Sequence, residues 1–425
     1  MRNIPGHTLF DSTLALMNEG YCFIANRCQR YRTPVFVTRL LLRRTLCIRG
    51  EMAAKLFYDQ CLFSRTNASA YLAHNSRLGA AETHLLRKQL FGRALQAGQA
   101  ERLVSLAEQQ WLAALQRWEG QPHVVMLPEI ETLLCKAVCR WAGIPLGDDE
   151  ASERRQQLAT LIDGGGRFGW ARLAAWRGHL TLQRWARRLI AQQRAGELTA
   201  PVDSALALIN RWRGGNGKVL PGRVAAAELL ELLGQTVAVA RFIVFALLEL
   251  HRHPEWQLRL AHDDEWLRPF AREVRRLYSF QPFIAARVRQ DFAWQGYMFQ
   301  AGSRVLLDLY GTSRDPVTWQ QTETFMPERF IAWPSGAYGV IPQDDVSAEC
   351  HPHCPTEDLA VMLIENALRL FCRRMHYRVA EQAPGMPSRR MPVLPASCLV
   401  LSEIAAVHGG AGFAPGGGRG HTLSR

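Results

Sequence analysis

"GRVAAAELLELLGQTVAVARFIVFALLELHRHPEW", residues 222–256, decides the fold class. Its apolar residues recur every three to four positions and continue nearly all the way round. That pattern predicts a long helix, from near Arg223 to the stop at Pro254, threading a core rather than lying on it. Helical periodicity extends over about residues 85–275, as in "AERLVSLAEQQWLAALQRW" (100–118) and "RLAAWRGHLTLQRWARRLIAQQRAG" (172–196). Segments rich in branched and aromatic residues read as strands: "TLCIRG" (45–50), "AARVRQDFAWQGYMFQAGSRVLLDL" (285–309) and "SCLVLSE" (397–403). The chain is therefore mainly α with a minor β part, an α+β class. Residues 1–404 read as a single domain, and the glycine-rich stretch 405–425 as a disordered tail.

Composition bounds the function. With 425 residues, 48% of them hydrophobic, the chain can bury one large core or two modest ones. Lys and Arg number 51 against 38 Asp and Glu, a net +13 that suits an acidic partner protein or an anionic surface, or simply solvated arginine-rich faces. "LQRWARRLIAQQR" (182–194) reads as such a face, and no nucleic-acid partner is expected. The ten cysteines show no framework of paired short spacings, which points to a reducing compartment. The first 21 residues lack the apolar core of a signal peptide, and "TVAVARFIVFALLEL" (236–250) is short and interrupted by Arg241. A cytoplasmic protein without a transmembrane segment is expected.

Two glycine-rich stretches fail as phosphate loops. In "RGGNGKVLPG" (213–222) Lys218 is followed by Val219 rather than Ser or Thr, and "IDGGGRFGW" (162–170) follows no strand. "ECHPHCPTEDLA" (349–360) gathers Cys350, His351, His353 and Cys354. A zinc tetrahedron from so short a run strains the backbone, and Cys135 and Cys139 in "IETLLCKAVCRWAG" read as a buried helix face. A thiolate at Cys354 suits the loop better. Pro355 opens a helix whose N-terminal dipole and unpaired N–H groups stabilise a thiolate, a group that can ligate haem iron.

The chain resembles a cytochrome P-450, specifically the bacterial branch of hydrogen-peroxide-using fatty-acid peroxygenases and decarboxylases. The likeness runs from about residue 10 to 404. It includes "DSTLALMNEGYCFIANRCQRY" (11–31), "GEMAAKLFYDQ" (50–60), "VCRWAGIPL" (138–146), "VAVARFIVFALLELHRHPEW" (237–256), "EVRRLYSFQPFIAARVRQDF" (273–292), "RVLLDLYGTSRDP" (304–316), "FMPERF" (325–330) and "RMPVLPASCLVLS" (390–402). The resemblance implies the P-450 fold with its long helix over haem b, and Cys354 as the axial thiolate. It implies a structural triad of Glu273, Arg276 and Arg329, and haem contacts from Arg65, His84, Lys88 and Arg287, with His353 or His351 standing in for the propionate donor that this chain lacks before its cysteine. Phe283 and Ile284 would lie along the substrate channel.

Departures fall at the chemistry. The Arg-Pro pair with which relatives hold a fatty-acid carboxylate is replaced by Gly234 and Gln235; Arg241, two turns on, and Arg77 are the substitutes considered. Gln235 and Thr236 resemble, imperfectly, the acid-alcohol pair of O2-using members. In the cysteine loop, aligned from "IPQ" (341–343), glycines become Asp344, Asp345 and Val346, the His-Arg before the cysteine becomes Pro352 and His353, and a later glycine becomes Thr356. The resemblance implies a haem-thiolate oxidoreductase hydroxylating or decarboxylating fatty acids with hydrogen peroxide. Two other readings are a degenerate relative with weak or no haem, and an O2-dependent monooxygenase served by an acidic redox protein.

Overall fold

A helix of 31 residues, Gly222–Arg252, runs through the centre of the protein, buried on almost every side. The computed structural model describes residues 3–59, 61–65, 80–96, 98–163, 170–214, 217–333, 355–380 and 399–407. Its helices are α1 (Thr13–Glu19), α2 (Phe23–Tyr31), α3 (Glu51–Phe57), α4 (Ala80–Ala94), α5 (Gln99–Trp118), α6 (Met126–Trp141), α7 (Asp148–Asp163), α8 (Trp170–Arg194), α9 (Ala205–Arg211), α10 (Gly222–Arg252), α11 (Pro254–His262), α12 (Leu267–Leu277), α13 (Leu309–Thr312) and α14 (Pro355–Arg373). The strands are β1 (Gly6–Asp11), β2 (Val35–Leu40), β3 (Arg43–Ile48), β4 (Phe63–Arg65), β5 (Val124–Val125), β6 (Phe283–Val288), β7 (Phe292–Trp294), β8 (Tyr297–Phe299), β9 (Arg304–Asp308), β10 (Met375–Val379) and β11 (Val400–Ala406).

Helices α6, α7, α8 and α14 surround α10. Each offers it an apolar stripe; α5, packed behind α6 and α14, shows the spacing plainly, burying Leu103, Ala107, Trp111, Ala114, Leu115 and Trp118. Pro254, which ends α10, is the first residue of α11, where its missing N–H costs nothing. Although α10 is long and apolar enough to cross a membrane, 83% of its most apolar window lies inside the protein. Where the chain turns from α6 towards α9, Gly143 has φ 78°, and a Cβ there would lie 2.8 Å from Ser204 Oγ, the hydroxyl that caps α9.

Six strands form one sheet in the order β1-β2-β3-β9-β6-β4. Period-two alternation divides it. Phe36, Cys47, Leu306, Phe283 and Ala285 pack beneath α2, whereas Val35, Leu46, Leu307, Ile284 and Ala286 pack against α3. A smaller sheet, β10-β11-β5, closes against α5. It moves the expected start of the tail. Ala405 pairs with His376 and Ala406 with Met375, and the Val407 N–H donates to Arg374 O at 2.8 Å, so the ordered chain extends past residue 404. Strand ladders are backbone bonds, and alanines sustain them as well as larger residues. Residues 408–425 lie outside the described residues.

Candidate functional site

Two adjacent arginines of α12 hold the two ends of the chain that carries Cys354. Arg276 is fully buried and grips Glu273 at two points, Nε to Oε2 and Nη2 to Oε1, both 2.7 Å. It also donates to the carbonyls of Ser313, Thr322 and Thr324, pinning the segment that leads to Arg329. Arg329 Nε reaches Glu273 Oε1 at 3.3 Å, so the structure brings the expected triad together. Burying these three charges is tolerable because each meets an opposite charge and its remaining donors find carbonyls. Beyond the triad, Trp333 stacks on Trp319 with centroids 4.0 Å apart. At the other end, Arg275 Nε donates to Glu357 Oε1 at 2.6 Å, and its Nη2 meets Oε2, fixing the first turn of α14 directly after Cys354.

On α10, Gly234 is buried, yet a Cβ added there would meet no atom of the described residues within 4 Å. A glycine inside a helix costs about 0.5–1 kcal/mol relative to alanine, and here no close packing explains it. The space suits a bound group. Gln235 donates through Nε2 to Glu231 Oε1 at 3.3 Å, while its buried Oε1 has no hydrogen-bond partner among the described residues. The Thr236 hydroxyl donates back to Leu232 O at 3.1 Å, the local bond a threonine makes within a helix.

Arg241 is buried, with Nη2 2.6 Å from Asp163 Oδ1 on α7 and Nη1 3.8 Å from Glu131 Oε1 on α6. Its charge is paired with the protein's own carboxylates, while its Nε and Nη1 find no hydrogen-bond partner among the described residues. Burial still raises the Glu131 carboxyl above its ordinary value despite Arg241 and Arg155.

Arg287 is exposed, registered against Arg304 on β9 and Ser64 on β4, and with Arg43, Arg44 and Arg304 it lines a surface groove of about 310 Å³. Arg65 is registered one position away, against Ala286. Phe283 and Ile284 are consecutive strand residues that face opposite ways, Phe283 packed towards α2 and Ile284 towards α3. His84 and Lys88 sit one turn apart on α4. Arg77, Cys350, His351, His353 and Cys354 lie outside the described residues.

Other readings find plain structural roles. Cys135 and Cys139 are buried on α6, and among the described residues no cluster of three His, Cys, Asp or Glu could hold a metal ion. Trp185 of the arginine-rich helix is buried and cannot stack on a base. "RGGNGKVLPG" closes through an Arg213–Val219 bridge, as a turn does. Sequence reasoning missed Arg87, which bridges α4 to α10 with Nε 2.9 Å from Glu228 Oε2 and Nη1 3.4 Å from Glu231 Oε1. Glu228, a carboxylate within a helix apolar nearly all round, is the signal that could have found it.

Known proteins share this architecture. The cytochrome P450 sequence profile matches residues 193–332. Among curated proteins, a psoralen synthase from Pastinaca sativa is 37% identical over 71 residues, and a geissoschizine oxidase from Alstonia scholaris 29% identical over 128. Those matches span only 15% and 25% of the relatives' lengths. Solved structures match throughout. Cytochrome P450EX alpha (CYP152N1) with myristic acid is 31% identical at a TM-score of 0.88, over 96% of this chain and 100% of that one. Cytochrome P450SP alpha (CYP152B1) in complex with (R)-ibuprophen is 34% identical at 0.87, over 93% and 99%. A variant of cytochrome P450 OleT in complex with arachidonic acid is 25% identical at 0.89, over 96% and 99%. With the buried Glu273–Arg276–Arg329 triad, the long central helix and full-length agreement above 30% identity, the chain belongs to the cytochrome P450 superfamily, in the branch of the CYP152 fatty-acid peroxygenases.

Proposed function

We propose that the protein is a haem-thiolate oxidoreductase that hydroxylates or decarboxylates fatty acids, with hydrogen peroxide as oxidant, in the cytoplasm. The observation carrying this reading is that the chain spans 100% of a structure solved with myristic acid. Described residues fit haem where it would touch them: Gly234 leaves a cradle on the buried face of α10, and α14 starts at the residue after Cys354. Haem bound through a cysteine thiolate supplies the electron push that favours cleavage of a peroxide O–O bond.

The chain's own residues do the rest. Cys354 would hold the iron as a thiolate, the form that the positive end of the α14 dipole favours. Arg65, His84 and Lys88, with His353, would pair with the propionates. Arg275 and Arg276 fix the described chain on either side of the segment that carries Cys354. The apolar face of α10 excludes water from the core around Gly234. The buried Gln235 Oε1 offers an acceptor for an O–H group, either peroxide or a protonated carboxyl. Lacking an arginine at 234, the site binds the acid mainly through burial of its chain, at about 0.8 kcal/mol per CH2.

The test is expression with haem supplied, reduction under carbon monoxide, and then turnover of fatty acids with peroxide and no reductase. A thiolate-type Soret shift with hydroxylated or alkene products supports the reading. Product formation only with a reductase and O2 would replace peroxide by an acidic redox partner docked on the +13 chain. Protein that takes up no haem would mark it as a non-catalytic relative.

A further inference from the structure

The hairpin between β2 and β3 turns on Leu41 and Leu42, whose φ angles are 50° and 62°. Positive φ at both central positions is the signature of the type I′ turn, which favours Asn-Gly because larger side chains crowd the backbone there. Leucine is also a poor choice for water, yet these two side chains are 64% and 76% exposed. The geometry is held from outside. The Leu41 N–H donates to Thr13 Oγ1 at 2.7 Å and the Leu42 N–H to Asp11 Oδ2 at 2.5 Å, while Asp11 Oδ1 accepts the Thr13 N–H at 2.8 Å.

That clasp joins the turn to a second apolar group. Leu9 and Phe10, just before Asp11, and Leu14, just after Thr13, are 84%, 79% and 75% exposed. Single exposed leucines are ordinary on a protein surface, but five large apolar side chains on one bonded junction are not. Arginines surround them. Arg39 stands directly opposite Arg44 across β2–β3, a like-charge pairing that weakens a sheet, and Arg43 and Arg44 border the groove shared with Arg287 and Arg304. Among the described residues Arg39, Arg43, Arg44 and Arg287 make no ion pair, whereas Arg304 is bonded to Thr45 and Leu40 O. Strained turn residues, solvated leucines and facing arginines each disfavour the isolated chain, and an apolar layer beneath a sheet of phosphates relieves the last two together.

We propose that this junction docks on the surface of an anionic phospholipid bilayer, with Leu41, Leu42 and Phe10 entering the headgroup–acyl boundary and Arg39, Arg43 and Arg44 meeting phosphates. Binding is peripheral, and it does not depend on haem or turnover. The test is co-sedimentation of the full chain with phosphatidylcholine vesicles containing or lacking phosphatidylglycerol, at low and high salt. The wild type is expected to sediment with the anionic vesicles and to be released by salt. The Leu41→Asn/Leu42→Gly variant installs the residues the turn prefers. It should melt at an equal or higher temperature yet bind those vesicles at least about tenfold more weakly, and Arg43→Glu/Arg44→Glu should bind more weakly still. Wild-type protein left in the supernatant, or undiminished sedimentation of the Asn-Gly variant, would overturn the proposal. So would a wild-type dimer that the Asn-Gly variant dissolves without any vesicle binding, because the patch would then cover a second copy.

Discussion

Arg275 on α12 and Glu357 in the first turn of α14 form a two-point ion pair, and neighbouring Arg276 points its guanidinium the other way, into Glu273. One helix thus sets both ends of the ligand-bearing loop. Replacing Arg275 by Met removes a charge-assisted pair worth about 1.5–3 kcal/mol and frees the start of α14. We expect Arg275→Met to lower the melting temperature and the Soret-to-protein absorbance ratio together, with Glu357→Gln doing the same and the double variant no worse than either. A fall in melting temperature with undiminished haem content would sink the positioning role.

Gly234→Arg should restore a carboxylate anchor. An added Cβ meets no atom of the described residues within 4 Å, so the helix accepts a side-chain stem there, and losing a mid-helix glycine is itself favourable. Fatty-acid affinity, read from the substrate-induced spectral shift, should tighten by about tenfold, the scale of one charge-assisted hydrogen bond. Unchanged affinity and product yield would refute the account of the missing anchor.

Arg241→Met should behave quite differently. It takes a buried guanidinium away from Asp163 and leaves Glu131 to Arg155, a loss of up to about 3–5 kcal/mol for a broken buried pair, with no specific effect on the KM of fatty acids in whatever fraction remains folded. A selective rise in KM at unchanged stability would restore Arg241 as a substrate anchor.

Asp308 carries a pH signature. It is fully buried; Oδ1 accepts the Gly311 N–H at 2.8 Å, and Oδ2 has no hydrogen-bond partner among the described residues. Burial pushes its carboxyl up to about 7, against the pull of Gly311, Arg49 and Arg314. A raised folded-state value gives stability that is full below the ordinary value of 3.8 and lost as pH rises through about 7. Asp308→Asn removes that dependence. Its stability relative to wild type should therefore rise between about pH 4 and pH 8, by at most about 4 kcal/mol, in urea unfolding at several pH values. A pH-independent difference would contradict the assignment.

What the sequence disclosed was what local periodicity and charge type can carry. The central helix was legible because its apolar residues run nearly all round, and the triad because "EVRR" and "PERF" resemble the family's own motifs. The partner of Arg241 was not, since Asp163 is separated from it by 78 positions and no local pattern joins them. Phe283 and Ile284 were grouped by resemblance although the period-two rule sets neighbours on opposite faces. The hairpin at Leu41–Leu42 gave no turn signal at all: the residues that normally mark such a turn are absent, and tertiary bonds from Asp11 and Thr13 impose it.

Trp333 and Glu357 are the last and first firm holds on either side of the altered cysteine loop, and neither draws its hold from the loop itself. Folding and cofactor retention are therefore best assayed as two traits in this chain. Variants of residues 334–354 should be ranked by absorbance at the Soret band alongside melting temperature, because the holds at Trp333 and Glu357 report on the scaffold and not on the ligand.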